Sequence, residues 1–379
     1  MQRISRQAEF GWLLVSLTGL LMLGSFTPRQ LTIMSFSHPQ RLNSRLRLAI
    51  VGCGAIAEHG HLPGASQVAA IEIAALVDKD IDRARKLARR FGIAEAAPNL
   101  EGIEKIADAA VLCLPHHLHC PVAVDLISRG LHVLVEKPMA LDTAECDQMI
   151  AAANDSRVVL AVGMMRRYFR CALALKQILD SRILGAIHRF RIEDGGVYAW
   201  PSASPFILSK AHSGGGVLMG NGSHVMDSLV WWFGEPREIQ CFTNSAGGME
   251  TDVTLEMEMS DGSHGTVELS RTRSLANCTK VWTERGVIRI PLYGDQVELE
   301  LDGSEFTLAG QAKGVSLVGE QDLAMVLAEQ LRDFARAIAG HPAPIVTGVE
   351  SRRSIALIES CYRVAKPLPE PWDIPLNLL

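Results

Sequence analysis

At 379 residues the chain is longer than one hydrophobic core ordinarily organises, so two domains are expected. A composition of 48% hydrophobic and 21% charged residues is that of a folded globular protein and excludes a disordered or fibrous one. The net charge is −5 and no long basic stripe accompanies short clusters such as Arg166, Arg167 and Arg170, which argues against a phosphate-backbone binder, and no nucleic-acid partner is expected.

The chain opens on an apolar stretch, Gly11 to Phe26, behind Arg3 and Arg6. Two readings stay open. One is a signal-peptide core or short membrane anchor, although a full span needs about 20 residues. The other is a start-site artefact ahead of Met34, with Ser35 to Arg45 as a polar lead-in. Residues 1–45 are set aside as an extension on either reading.

From Leu46 strand and helix patterns alternate. Leu46–Val51 is a continuous apolar run ending in a Gly-rich turn. A helix follows from Ile56, limited by Pro63. Ile71–Val77 is a second strand, ending at Asp78. Ile81–Phe91 has helical spacing and stops at Gly92. Ala109–Leu114 is a strand ended by Pro115, and Val122–Ser128 a helix before Gly130. His132–Val135 is a strand ended by Glu136-Lys137-Pro138. Thr143 is expected to cap a helix that runs to about Asn154, and Val158–Val162 is a further strand. This alternation predicts an α/β fold: an amino-terminal doubly wound parallel sheet over 46–162.

Beyond Gly163 the pattern changes. A helix over Arg170–Ile183 precedes seven β-like runs: Ile187–Ile192, Arg237–Thr243, Thr251–Met259, Gly265–Arg271, Lys280–Trp282, Val287–Ile290 and Val297–Leu301. Turns such as Asp261-Gly262 and Asp302-Gly303 separate several of them. A carboxyl-terminal α+β domain with a large, mostly antiparallel sheet is expected over 163–345. Helical patterns at Leu323–Gly340 and Glu350–Ala365 close the chain, the last within a segment 346–379. The 8 cysteines form no C-x-x-C pair and are read as reduced, mostly buried thiols.

Gly52-Cys53-Gly54-Ala55-Ile56-Ala57 is G-x-G-x-x-A between a strand and a helix, the context a dinucleotide-binding turn requires. Gly52 permits the tight turn, Gly54 lets backbone approach a pyrophosphate, and the helix amino terminus beginning at Ala55 and Ile56 attracts it. Asp78 lies 24 residues after Gly54 at the end of the second strand, where a carboxylate accepts from a ribose 2′-hydroxyl. That favours NAD, and Lys79 beside it keeps NADP open. Arg83 is grouped with these cofactor residues. Because free nicotinamide cofactors are cytosolic, the cytoplasm is the expected compartment, with export or anchoring if the apolar segment 11–26 is a real signal.

Lys137 stands at the carboxyl end of a parallel strand, where ligands bind in open α/β sheets. Oxidising an alcohol needs a base for the hydroxyl proton, and a lysine serves once burial or a nearby positive charge lowers its pKa. Pro138 restricts its backbone and makes the Lys–Pro bond a candidate for the cis form. Downstream, a flexible Gly214-Gly215-Gly216 loop leads into an apolar helix starting near His224. A histidine in a first helical turn is favoured in its neutral form, and Asp227 on the same face is a candidate to orient it. The spacings of His59, His61, His116, His117 and His119 match no zinc pattern, so no metal is expected.

The succession of G-x-G-x-x-A, Leu114-Pro115-x-x-x-His119, Glu136-Lys137-Pro138 and Gly-Gly-Gly with Gly-x-His some eighty residues later resembles the Gfo/Idh/MocA oxidoreductase family, from about Leu46 to Ala365. The resemblance implies a Rossmann domain, NAD(P)-dependent hydride transfer at a CH–OH carbon of a sugar, cyclitol or sugar derivative, and a homodimer or homotetramer paired through the second sheet. It implies that Lys137 contacts nicotinamide and substrate, that His224 is catalytic, and that Leu114, Pro115, His116, His119 and Glu136 lie near the cofactor. Arg167 and Tyr168 are implied to reach the cleft, where Asn221 and Asp227 also face substrate. Two positions depart from the family. Gly220 stands where an aspartate often precedes the histidine by four residues, and His116 where many members have asparagine. Gly220 keeps open a non-catalytic dinucleotide-binding sensor or assembly subunit. A reductase of an imine or tetrapyrrole-like ligand is the other alternative; it would need an apolar pocket.

Overall fold

Leu46–Val51 (β1) is buried at every position but Arg47, as a central parallel strand covered on both faces must be. In the computed structural model, which describes residues 45–369 apart from 202, 247, 302, 309, 310, 313, 314 and 317–320, this strand is the middle of a six-stranded sheet. Its other members are β2 (Ile71–Val77), β3 (Glu95–Ala97), β4 (Ala109–Leu112), β5 (His132–Val135) and β6 (Leu160–Val162). The order is β3-β2-β1-β4-β5-β6 and every pairing is parallel. The strand order reverses between β1 and β4, which opens a crevice at their carboxyl ends. Within this sheet only β3 had no counterpart in the sequence pattern. It is three residues long and pairs solely with β2, too short to show an alternation.

The helices follow the expected positions with local differences. The first begins as a π-helical turn, Ala57–His61, before Leu62–Ala65, so Pro63 stands near its end. The helix expected at Val122 starts at His119. Asp142, not Thr143, caps Thr143–Ser156: its carboxylate accepts from Glu145 N at 2.8 Å, while Thr143 N and Oγ1 both donate to Glu359 at 2.9 Å.

The second sheet has nine strands in the order β14-β13-β12-β11-β7-β10-β9-β8-β17. They are β7 (Ile187–Gly195), β8 (Pro236–Thr243), β9 (Asp252–Met259), β10 (His264–Ser270), β11 (Cys278–Thr283), β12 (Gly286–Pro291), β13 (Val297–Leu301), β14 (Ser304–Leu308) and, after a two-stranded ribbon of β15 (Gln311–Ala312) and β16 (Val315–Ser316), β17 (Ala365–Pro367). Pairings are antiparallel except β7 with β10 and β8 with β17. The parallel pair matters for the site, because Gly195 and Ser270 are partnered and both chains leave the sheet at the same edge.

Two helices tie the sheets together. Leu323–Ile338 buries Leu331, Phe334 and Ile338 in one core with Leu46, Leu48 and Ile50, so it covers a face of the parallel sheet. Gly348–Arg363 starts with a capping box between Thr347 and Glu350, two residues earlier than the apolar pattern indicated. It lies between the helix Thr143–Ser156, through an Arg352–Asp147 pair at 2.5 Å, and the helix Gly222–Phe233 of the second sheet. All eight cysteines are unpaired; Cys113 is half-buried and the others buried. No helix among the described residues is long and apolar enough to cross a membrane. The segment 11–26 and the Met34 lead-in lie outside the described residues.

Candidate active site

The turn after β1 is built for close approach. Gly52 has φ +93°, and a Cβ there would lie 2.3 Å from Cys113 O, so only glycine fits. At Gly54 the nearest atom to such a Cβ is Ala203 Cβ at 3.9 Å, which leaves the outer side of the turn open. The first helical amides, from Ala55 and Ile56 onward, point out of the helix start without intrahelical acceptors, the donor set a pyrophosphate uses. Buried Ala57 holds the helix against the sheet.

Asp78 stands at the end of β2 beside this turn. Its carboxylate accepts from Cys53 N at 2.8 Å, from Asp80 N at 2.9 Å and from Arg83 Nη1 at 3.5 Å. It therefore shapes the turn, and a carboxylate's four acceptor positions leave room for a ribose hydroxyl. Arg83 also pairs with Asp80 at 3.0 Å. These residues fit a dinucleotide.

The carboxyl ends of β4 and β5 meet this turn. Leu114 packs beside Gly52, and Pro115 O accepts from Leu118 N at 2.9 Å to close the turn His116–Leu118. His116 Nδ1 donates to Ser213 O at 2.8 Å, and burial pushes its pKa well below the usual value. His119 sets its two ring nitrogens against Pro138 O at 2.7 Å and Leu114 O at 2.9 Å, bracing the loops after both strands. Glu136 is buried. Burial opposes its charge, but the hydrogen bond with His61 Nε2 at 2.8 Å, with Lys137 nearby, holds its pKa below the usual range. Sequence left His61 among loop histidines that match no zinc pattern; it holds this carboxylate. Among the described residues no cluster of three or more His, Cys, Asp or Glu could hold a metal ion.

Lys137, joined to Pro138 by a cis bond, turns its Nζ toward the second sheet and donates to Gly220 O at 3.2 Å. Burial is the main cause that lowers its pKa to about 8; Glu136 opposes, and Arg166 and Arg271 assist. Gly220 ends the turn Val217–Gly220, and Asn221 joins it to the helix Gly222–Phe233, whose third residue is His224. His224 is 5% exposed, and its Nδ1 has no hydrogen-bond partner among the described residues. Burial, then the positive charges of Lys137 and Arg166, keep its pKa well below the usual value.

Several expectations are corrected here. Asp227 does not orient His224: Arg167 Nε and Nη2 each donate to its carboxylate at 2.8 Å. Arg167 also pairs with Glu350 at 3.2 Å and stacks on Trp231, so neither residue presents free groups to a substrate. Tyr168 is buried and directs its hydroxyl to Pro344 O at 3.5 Å. The neighbouring Arg166 is the one that faces Lys137 and His224. The Gly214-Gly215-Gly216 loop is tightly packed rather than flexible. A Cβ at Gly215 would meet Tyr362 Oη at 2.0 Å, and one at Gly216 would meet Glu250 O at 1.9 Å.

Three neighbours of the site were given no role in it by the sequence. Arg166 donates to Asp194 at 2.6 Å and to Tyr293 Oη at 2.5 Å, while its Nε and Nη1 have no hydrogen-bond partner among the described residues. Glu250 Oε1 accepts from Gly216 N at 2.9 Å, Leu218 N at 3.1 Å and Tyr362 Oη at 2.7 Å, which pins the glycine loop. Arg271 leaves the end of β10 and reaches Gly220. None belongs to a motif; the only signal was their place at strand ends.

Known proteins share this organisation. Residues 46–164 match the model of the oxidoreductase family with an NAD-binding Rossmann fold, and residues 172–289 match the GFO/IDH/MocA C-terminal domain. The chain is similar to UDP-N-acetylglucosamine 3-dehydrogenase of Acidithiobacillus ferrooxidans, 25% identical over 82% of this chain and 94% of that one. Its fold is similar to aldose-aldose oxidoreductase from Caulobacter crescentus complexed with glycerol (TM-score 0.74, 22% identity, 85% of this chain and 97% of that one). It is similar also to levoglucosan dehydrogenase in complex with NADH (TM-score 0.74, 18% identity, 85% and 98%). The chain is therefore an NAD-binding oxidoreductase and belongs to the Gfo/Idh/MocA family.

Proposed function

We propose that the protein interconverts a CH–OH carbon of a sugar, cyclitol or related polyol and the corresponding ketone, with Lys137 as the proton acceptor and His224 beside it. The observation that carries this is Lys137: a half-buried lysine at the crevice, anchored on Gly220 at the head of the helix bearing His224, with its pKa drawn down to about 8. The relatives that act on sugars support the substrate class. The charges of Arg166, Arg271 and Asp194 that act on Lys137 also suit a hydroxylated substrate better than the apolar ligand of an imine or tetrapyrrole reductase.

Gly52, Gly54, the amides at Ala55 and Ile56, and Asp78 with Arg83 would hold the dinucleotide, while Leu114 to His119 and Glu136 flank its reactive end. When bound, the nicotinamide supplies the hydride acceptor for oxidation and the donor for reduction. In oxidation the neutral amine of Lys137 takes the hydroxyl proton as the carbon–oxygen double bond forms; in reduction the ammonium returns a proton to the carbonyl oxygen. His224, held neutral, offers Nδ1 to a substrate hydroxyl. Lys137→Ala is expected to lower turnover by about 10²- to 10⁴-fold while NADH binding persists. Nicotinamide absorbance over a panel of sugars and cyclitols, with cofactor fluorescence in parallel, tests this; full turnover in the variant would remove Lys137 from the mechanism. We infer further that copies associate through the outer face of the second sheet, where Trp282 lies between Arg189 and Lys280.

A further inference from the structure

Gly220 is where the two halves of the site touch. Its carbonyl holds Lys137 Nζ at 3.2 Å, and its Cα faces Arg271: a Cβ added there would lie 2.0 Å from Nη2. The guanidinium thus occupies the space a side chain at position 220 would fill, and it does so within one residue of the candidate reacting centre. Backbone geometry fixes this placement. Arg271 N donates to Thr251 O at 2.8 Å at the end of β10, and Arg271 O accepts from Tyr198 N at 3.2 Å in the chain leaving β7.

Among the described residues the guanidinium lacks an anionic partner. An arginine carries five donors and stays charged at any working pH. Arg166 has Asp194, Arg167 has Asp227 and Glu350, and Arg273 has Glu268 and Asp252. For Arg271 no carboxylate among the described residues is within ion-pair distance, and its Nε is buried without a partner. Its neighbours are the face of Tyr198, 5.2 Å to the ring centroid, and, farther off, Glu250. The Oε1 of Glu250 is already taken by Gly216, Leu218 and Tyr362. A half-buried cation of this kind is stabilised by an anion that arrives with the ligand, and the fork of a guanidinium matches the two oxygens of a carboxylate or phosphate.

We propose that the substrate carries an anionic oxygen group, a carboxylate or a phosphate, a few bonds from its reacting carbon, and that Arg271 seats this group over Gly220. This rests on Lys137 and His224 marking the reacting centre, and it narrows the substrate from polyols at large to acidic ones. The absence of a side chain at position 220 is part of the device: an aspartate there would neutralise the guanidinium from within the protein, whereas glycine leaves it for the ligand.

The test measures binding to the NADH-loaded full chain by calorimetry, with D-gluconate, D-glucose 6-phosphate and D-glucose as probes. One of the two anions is expected to bind at least about tenfold more tightly than glucose, and which one does so identifies carboxylate or phosphate. The advantage should largely vanish in both Arg271→Gln and Gly220→Asp, the second adding a negative charge that pairs with Arg271. Equal affinity of all three probes in the unaltered protein, or an advantage that survives both substitutions, overturns the proposal. So does a loss of NADH affinity alone in Arg271→Gln, which would assign the arginine to the cofactor. Turnover separates the two readings. Anion binding that depends on Arg271, without Lys137-dependent hydride transfer, leaves this subsite standing and removes the proposed reaction. Lys137-dependent oxidation of neutral polyols with no anion advantage does the reverse.

Discussion

Lys137 and Gly220 are 83 residues apart in the chain, yet the ammonium of one donates to the carbonyl of the other at 3.2 Å. This contact joins the carboxyl end of a Rossmann strand to the helix of the second sheet, and it places a lysine of lowered pKa between Glu136, Arg166 and Arg271.

The pH dependence of oxidation follows from that environment. The proposed base is the neutral amine of Lys137, so the rate is expected to rise through about pH 8 and level off above it. Glu136 raises the pKa of Lys137; Glu136→Gln removes that pull, and the midpoint should move to lower pH. Initial rates across pH 6–10 for both proteins check it, and a midpoint that stays or rises in the variant contradicts the assignment.

Arg167 is expected to matter for stability rather than for substrate. Arg167→Ala leaves the Asp227 carboxylate, 2% exposed, without its two hydrogen bonds. Breaking one side of such a buried pair costs about 3–5 kcal/mol. Denaturant unfolding should show a loss of that order. A change below about 1 kcal/mol would mean that the pair is not buried as described.

Gly52→Ala is expected to abolish the cofactor turn. The new methyl would sit 2.3 Å from Cys113 O, a backbone atom that cannot swing aside, at a φ of +93°. NADH affinity measured by fluorescence should fall by at least about tenfold, since backbone strain of about 1–3 kcal/mol must be relieved by moving the turn. Unchanged affinity would show that the turn does not hold the dinucleotide.

Asp78→Ala separates turn-building from ribose recognition. It removes the acceptor for Cys53 N and Asp80 N and the partner of Arg83, so NADH affinity should fall. With the carboxylate gone and Arg83 retained, the preference for NADH over NADPH should narrow as well. Paired titrations with the two cofactors read both effects; a preference that does not change would confine Asp78 to the turn.

How far the sequence reached depended on separation along the chain. Leu46–Val51 and the glycine turn after it were legible because the whole device occupies one short segment and its apolar pattern admits few alternatives. The same local logic marked Lys137 at a strand end. It failed at Asp227, which was matched to His224 three residues before it on the same helix, when its partner is Arg167, 60 residues earlier. It failed between Arg166 and Arg167, adjacent residues in a short helical turn whose side chains leave in different directions. The glycine loop read as flexible, because nothing near Gly216 in the chain announces that Glu250 and Tyr362 will close on it.

The sequence by itself determined the alternating strand–helix architecture and the glycine turn after the first strand, since each is written in residue spacing that only one local structure accommodates, and it placed Lys137 at a strand end. Tertiary structure alone decided which charges meet. It locked Arg167 onto Asp227, gave Arg166 to Asp194, and left Arg271 over Gly220 with no carboxylate of its own among the described residues. Electrostatic partners are set by distance across a cleft, and the two sheets must be docked before those distances exist.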